Sequence, residues 1–161
     1  MEKLLMEKMA VKTGIVPVDL NTGANTGIRF DMKNMKRATY ICLLGAGTST
    51  TTHSFALKQH DAASSGNTKA LSVGNPYYHK VNTATYFTKV APTVDADTYD
   101  LHSVVADYVA VVVFEVLAEQ LDRDNGYEWV SLNIADTGGA QLGSQVILAD
   151  AEFLPSYGQV V

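Results

Sequence analysis

The sequence has very few of the residues that build disulfide, metal and cofactor sites. Its 161 residues include one cysteine, Cys42, so an intrachain disulfide is excluded. Cys42 lies in the apolar run Tyr40–Leu44, and we expect it to be a buried small hydrophobe. The four histidines are His53, His60, His79 and His102. Their spacing matches no common zinc signature, so we expect neither a metal nor a cofactor.

Motifs for phosphate binding, calcium binding and nucleophilic catalysis are also missing. Gly45–Thr48 and Gly138–Gly143 lack the Gly-Lys-Ser/Thr ending of a phosphate loop. Asp95–Asp100 and Asp122–Gly126 lack the glycine and glutamate positions of a calcium loop, and we interpret both as solvated turns. No Gly-x-Ser-x-Gly motif occurs. These absences predict a protein that is not an enzyme.

Charge and long apolar runs are scarce as well. Charged residues make up 18% of the chain, below the roughly 25% of typical soluble domains. The net charge of −5 argues against nucleic acid and against an anionic membrane surface as partners. The longest apolar run, Tyr108–Phe114, is about a third of the ~20 residues of a membrane span. Met1–Ala10 mixes Glu and Lys with Leu and Met, unlike a signal peptide, so we expect synthesis in the cytoplasm.

The chain does contain many short strand-like segments separated by polar turns. Pro17 restricts Ile15–Leu20 to an edge strand or a loop. The other predicted strands are Ile28–Phe30, Arg37–Leu44, Thr51–Gln59, Ala70–Val73, Tyr77–Val81, Tyr86–Val90, Tyr108–Val116, Tyr127–Ile134 and Val146–Phe153. This pattern predicts a mainly β protein: an antiparallel β-sandwich or a jelly-roll-like barrel of about eight strands with an extended N-terminal arm. We divide the chain into residues 1–34, the arm and first edge strand or loop, and 35–161, the sandwich domain.

The segment Tyr108–Val116 does not alternate between apolar and polar residues over its middle. We therefore predict a central strand that is covered on both faces. The expected core positions are Ile41, Leu43, Phe55, Leu57, Val111, Val113, Val130, Leu132, Ile147 and Leu148.

Two kinds of segment are candidate contact sites. Met1–Met9 contains good helix formers and is either a frayed tail or an arm that orders on a partner. The loops Thr48–Thr52 and Ala62–Thr68 are neutral and small, which suits close packing against another protein, although an ordinary surface loop has the same composition. The predicted partner-binding residues are Leu4, Leu5, Met9, Thr50, Thr51, Ser64 and Ser65.

Several short motifs resemble a family of small virion proteins of tailed bacteriophages. These are Asn67–Val73, Tyr77–Lys80, Thr83–Val90, the acidic turn and aromatic strand Leu121–Val130, and the closing Ile147–Phe153 with Leu154–Ser156. The resemblance covers roughly residues 38 to 157. Residues 1–34 depart from the family, because this N-terminal extension is longer than its members would have.

The resemblance implies a capsid structural protein, specifically a head decoration or cement protein on the virion surface. Its implied partners are the major capsid protein and further copies of itself, for which the rotational symmetry of capsid sites makes a trimer plausible. Two other interpretations stay open: another virion component (neck, tail or fibre base), and a carbohydrate-binding β-sandwich with Tyr77, Tyr78 and Trp129 on one face.

Overall fold

The computed structural model describes residues 9–48, 53–91, 97–101 and 108–151. Within them the chain forms eleven strands and three short 3-10 helices. The strands are β1 (Met9–Asp19), β2 (Phe30–Asp31), β3 (Met35–Leu44), β4 (Ser54–His60), β5 (Thr68–Ala70), β6 (Tyr77–Val81), β7 (Thr88–Val90), β8 (Thr98–Asp100), β9 (Ala110–Leu117), β10 (Trp129–Ile134) and β11 (Leu142–Ala151). The 3-10 helices are Leu20–Thr22, Ala118–Gln120 and Arg123–Asn125.

The strands form two antiparallel sheets that face each other. The six-stranded sheet has the order β1-β11-β3-β9-β6-β7, and the second sheet has the order β2-β10-β4-β5, with β8 also pairing with β4. The described strands do not close into a barrel. The prediction of a mainly β antiparallel sandwich is therefore confirmed. Strand β8 lies within Asp95–Asp100, which we interpreted as a solvated turn; instead it pairs with β4 and buries Tyr99.

Strand β1 is an edge strand, as Pro17 predicted. Among the described strands it pairs only with β11, and its register shifts between Thr13 and Ile15 and again between Ile15 and Val18. Proline has no N–H to donate to a ladder, so an irregular edge is where a sheet accommodates it. Strands β1 and β2 precede residue 35 and belong to the two sheets, so the boundary drawn at residue 34 is not a boundary between sheets.

The core lies between the sheets and is centred on four aromatic rings. Phe114 of the six-stranded sheet lies 5.1 Å from Phe55, 5.4 Å from Tyr77 and 5.2 Å from Tyr99, measured between ring centroids. The buried Tyr40 hydroxyl donates to the Val130 carbonyl at 3.1 Å and so joins the two sheets directly. Burial of the phenol raises the pKa of Tyr40 and keeps it neutral.

Half of the predicted core positions are correct and half are on the wrong side of their strands. Phe55, Leu57, Val130, Leu132 and Ile147 are buried, as expected. The expectation was wrong for Ile41, Leu43, Val111, Val113 and Leu148, which are half-buried or exposed on the outer side of the six-stranded sheet. Their strands turn the alternate set inward: Ala38, Tyr40, Cys42 and Leu44 on β3, Ala110, Val112, Phe114 and Val116 on β9, and Ile147 and Ala149 on β11.

This alternation also corrects the expectation for strand β9. The strand is interior to its sheet, between β3 and β6, but only one of its faces is buried in the sandwich. On β3 and β9 the aromatic and cysteine side chains occur at only one of the two alternating sets of positions. These side chains fill the space between the sheets. The aliphatic residues of the other set are left outside.

Candidate functional site

The outer side of the six-stranded sheet is apolar across its three central strands. Strand pairing aligns Val146 of β11 with Ile41 of β3, Ile41 with Val113 of β9, and Val113 with Tyr78 of β6. Leu43 and Val111 form the adjacent row. We call the set Ile41, Leu43, Val111, Val113, Val146 and Leu148 the outer face. A sheet with one solvated side ordinarily carries polar residues on that side. An apolar outer face is instead typical of a surface that a binding partner covers.

Charged residues border the outer face. At one end Arg37 lies 3.6 Å from Glu115 and 3.8 Å from Asp150. Lys89 pairs with Tyr78, and Lys80 pairs with Val111, on the opposite side of the face. An apolar centre within a polar border is the usual anatomy of a protein–protein interface.

The same sheet carries a cluster of exposed apolar side chains at one end. Nine large hydrophobic side chains are exposed among the described residues, and seven of them lie where β1, β3 and β6 end and β7, β9 and β11 begin. We call these seven the apolar end: Val16, Leu43, Tyr86, Phe87, Tyr108, Val109 and Leu142. Clusters of this kind mark interaction sites, whereas single exposed hydrophobic residues are ordinary.

A cleft opens within the apolar end. It has a volume of ≈ 220 Å³ and is lined by Pro17, Leu43, Leu44, Gly45, Val109, Leu142, Gly143 and Ser144. None of these lining residues is charged. The cleft lies beside the ends of β3 and β11. The Gly45 N–H donates to the Leu142 carbonyl at 2.7 Å, and this hydrogen bond holds the two strands together there.

The second sheet carries a polar cluster on its outer side. His60 Nε2 lies 2.9 Å from the Ser131 hydroxyl, and His60 Nδ1 lies 2.8 Å from the Thr68 hydroxyl. Burial, assisted by the positive charge of Arg29, lowers the pKa of His60 to about 4, against a smaller opposing effect of Asp61. The imidazole is therefore neutral at pH 7.

The geometry of this cluster is structural. A serine nucleophile needs a histidine oriented by a third group and an exposed hydroxyl. Here the third group is the Thr68 hydroxyl and Ser131 is completely buried. Arg29 Nη1 also donates to the Ala62 carbonyl at 2.8 Å and to the Ser65 carbonyl at 2.6 Å. The cluster thus ties the β4–β5 loop to the sheet.

The remaining histidines and the cysteine are dispersed. His53 contacts the Gln141 side-chain oxygen, and Gln141 Nε2 donates to the Gly45 carbonyl at 2.7 Å. Cys42 is buried, as expected, and burial raises the pKa of its thiol to about 12. The parts of the chain that the structure describes contain no group of three or more His, Cys, Asp or Glu able to hold a metal ion. Nor does any helix there have the length and apolar character to cross a membrane.

Three of the seven predicted contact residues lie in the parts of the chain that the structure describes. Met9 is the first residue of β1, half-buried and paired with Asp150. Ser64 and Ser65 are exposed in the β4–β5 loop beside the second sheet. The other four, Leu4, Leu5, Thr50 and Thr51, lie outside the described residues, as does His102.

The three aromatic residues suggested for carbohydrate binding also do not share a face. Tyr77 is in the core, Tyr78 is on the outer side of the six-stranded sheet, and Trp129 belongs to the second sheet. Neighbouring residues of a strand point to opposite sides, so Tyr77 and Tyr78 do not stack on one ligand.

The predicted contact residues include none from the outer face or the apolar end. The signal was present, since Tyr108–Val116 lacks the alternation of a strand with one solvated side. We interpreted it as burial on both sides within the domain. The same pattern also results when a partner covers the second side.

Known proteins resemble this chain in structure but not in sequence. No family model matches the chain, and no curated protein matches it in sequence. The chain is similar to the crystal structure of the SPBc2 prophage-derived protein YomS, with 11% identity and a TM-score of 0.42, over 87% of this chain and 92% of that one. A likeness of this degree carries no argument about function.

Proposed function

We propose that this protein is a non-catalytic head decoration protein of a tailed bacteriophage, which binds the major capsid protein through the outer face of its six-stranded sheet. The observation that carries the proposal is the outer face itself. Aliphatic side chains occupy the solvent side of β3, β9 and β11, where a free-standing sandwich would place polar residues.

The chemistry of the outer face suits binding to protein. Its centre has no charged group to desolvate, so covering it releases water from aliphatic surface at about 25 cal/mol for each Å² buried. The bordering pairs of Arg37 with Glu115 and Asp150 are partly exposed and contribute little to stability, and they remain available to orient a partner.

The virion role is supported by the short motifs that resemble those of small phage virion proteins, over roughly residues 38 to 157. A shell offers the same contact at many sites, so a modest affinity at each site suffices when bound neighbours reinforce one another. Localisation on the capsid surface follows from this proposal.

The direct test is binding to expanded capsids that lack the protein. Wild-type protein is expected to sediment with these capsids in a fixed ratio to the capsid subunits. The double variant Ile41→Glu, Val113→Glu places two charges in the centre of the outer face and is expected to stay in the supernatant. The matched control is Ile28→Glu, because Ile28 is an apolar surface residue that lies outside the outer face, before β2 of the second sheet.

Unfolding temperatures of the three proteins check that the variants still fold. Capsid binding by the double variant at the wild-type level would show that the outer face is not the docking surface. Absence of the protein from purified virions would overturn the virion role as a whole. A copy number that corresponds to one ring of subunits rather than to the whole shell would favour a neck, tail or fibre-base component.

A further inference from the structure

The connection between β6 and β7 presents two adjacent aromatic side chains to solvent. Tyr86 is 81% exposed and Phe87 is 49% exposed. We call these two residues the aromatic tip. The connection, residues 82–87, contains no charged residue. Protruding aromatic residues that cost little to desolvate are typical anchors of protein interfaces.

The cleft of the apolar end has the size and chemistry to receive such an anchor. Its volume of ≈ 220 Å³ exceeds the roughly 150 Å³ of an enclosed apolar cavity that holds a benzene molecule, so the open cleft has room for one aromatic ring while a second ring packs against its rim. Leu142 and Val109 line it and are 67% and 48% exposed, so the cleft is open to a side chain from outside. Like the aromatic tip, it is neutral throughout.

The aromatic tip and the cleft are neighbours on one molecule. The Asn82 N–H, at the start of the β6–β7 connection, donates at 2.8 Å to the carbonyl of Val109, which lines the cleft. A protruding group beside a matching recess is self-complementary under a two-fold rotation, which brings each protrusion to the other molecule's recess at once. A closed ring of three copies would instead need the two features on different sides of the molecule.

We propose that two copies of this chain associate through a two-fold contact in which the aromatic tip of each copy enters the cleft of the other. Four partly exposed aromatic side chains leave water in this contact. At roughly 100–150 Å² each, and with an equal area of the two clefts, they bury about 800–1,200 Å² in total. This area lies at or below the roughly 1,200 Å² at which stable specific interfaces begin, so we expect a weak dimer that forms at micromolar or higher concentrations. The contact shares Leu43 with the outer face but does not depend on the outer-face proposal.

The test is sedimentation equilibrium of the purified chain at about 10–300 μM, concentrations that bracket a micromolar dimer. Wild-type protein is expected to be a monomer–dimer mixture. The tip variant Tyr86→Ser, Phe87→Ser and the cleft variant Leu142→Lys are each expected to raise the dimer dissociation constant at least about 30-fold, the loss typical of interface hot spots. Val109→Ser is a second cleft variant, and Ile28→Ser is the matched control that retains wild-type association.

Mixing the two variants separates a direct contact from an indirect effect on folding. Each variant alone has no intact contact, but a mixed pair has one: the intact tip of the cleft variant enters the intact cleft of the tip variant. The mixture is therefore expected to associate more tightly than either variant alone. The outer-face variant Ile41→Glu, Val113→Glu is expected to dimerise like the wild type, which distinguishes this contact from the capsid-binding proposal.

The other outcomes overturn the proposal. A wild-type monomer throughout this concentration range would remove the contact, and a trimer would contradict its two-fold symmetry. Wild-type association by both cleft variants, or a mixture no tighter than its components, would show that the tip does not enter the cleft.

Discussion

The outer sides of the two sheets differ in the contacts that their side chains make. On the second sheet, polar side chains contact other parts of the chain: the Gly27 N–H donates to Asn133, Arg29 holds the β4–β5 loop, and His60 bonds Ser131 and Thr68. On the six-stranded sheet, aliphatic side chains face outward across β3, β9 and β11. The first surface completes the fold, whereas the second surface leaves apolar side chains in partial contact with water.

The two sides of strand β9 provide the most severe test of this difference. Phe114 contacts three aromatic rings in the core, so Phe114→Ala is expected to lower the free energy of unfolding by about 3–5 kcal/mol. Val113, the preceding residue, lies on the outer face, and Val113→Ala is expected to cost less than about 1 kcal/mol. Urea unfolding measures both. A similar cost for the two would mean that the outer face is packed within the domain.

The edge of the six-stranded sheet gives the next largest effect. Deletion of residues 1–12 removes the pairing of Met9–Lys12 with β11 and the buried Ala10. At about 0.5–1.5 kcal/mol for each lost hydrogen bond, we expect a loss of about 2–4 kcal/mol in unfolding free energy. Deletion of residues 1–8 leaves β1 whole and is the control. If both deletion variants unfold at the same urea concentration, the first residues of β1 do not stabilise the sheet.

Substitutions of Arg29 and Arg37 compare how much the polar contacts on the two outer sides contribute to stability. Arg29→Ala removes charged donors to the Ala62 and Ser65 carbonyls and is expected to cost about 1–2 kcal/mol. Arg37→Ala removes two exposed ion pairs and is expected to cost less than about 1 kcal/mol. Thermal unfolding of both variants checks the ranking, and the reverse order would contradict it.

The smallest effect is a pH dependence that originates on the second sheet. Burial lowers the pKa of His60 from 6.5 to about 4, so the unfolded chain binds the proton more tightly than the folded one. The stabilisation is complete above pH 6.5 and declines as the pH falls toward 4. His60→Gln is therefore expected to flatten the decrease in unfolding free energy between pH 7 and pH 5. The pKa of His79 is also lowered by burial, so some of the decrease is expected to remain. An unchanged pH profile in the variant would show that His60 is not the group responsible.

Local features were predictable where one residue type decides the outcome. Pro17 indicated an edge strand or a loop, and it lies in β1, which is an edge strand among the described strands. Asn125-Gly126 indicated a turn, and Gly126 adopts φ 82° after a short 3-10 helix. The alternation of Thr51–Gln59 indicated which side of β4 is buried, and Phe55 and Leu57 face the core.

The candidate surfaces were less predictable because they depend on residues far apart in the chain. The cleft combines Pro17, Leu43, Val109 and Leu142 from four strand ends. Leu43, Val109 and Leu142 have no local pattern that distinguishes them from core residues. The seven predicted contact residues were selected from local composition, and their role in binding stays a prediction.

By itself the sequence determined a mainly β, antiparallel fold, because short β-branched and aromatic segments separated by turn residues favour a sandwich or a barrel, and the tertiary structure decided for the sandwich. Only the tertiary structure decided which side of β3, β9 and β11 faces inward. Both parities of these strands are largely apolar, so a shift of one residue would bury either set. The aromatic contacts of Phe114 and the hydrogen bond of Tyr40 across the sandwich select one set, and the other set becomes the surface on which the proposed function rests.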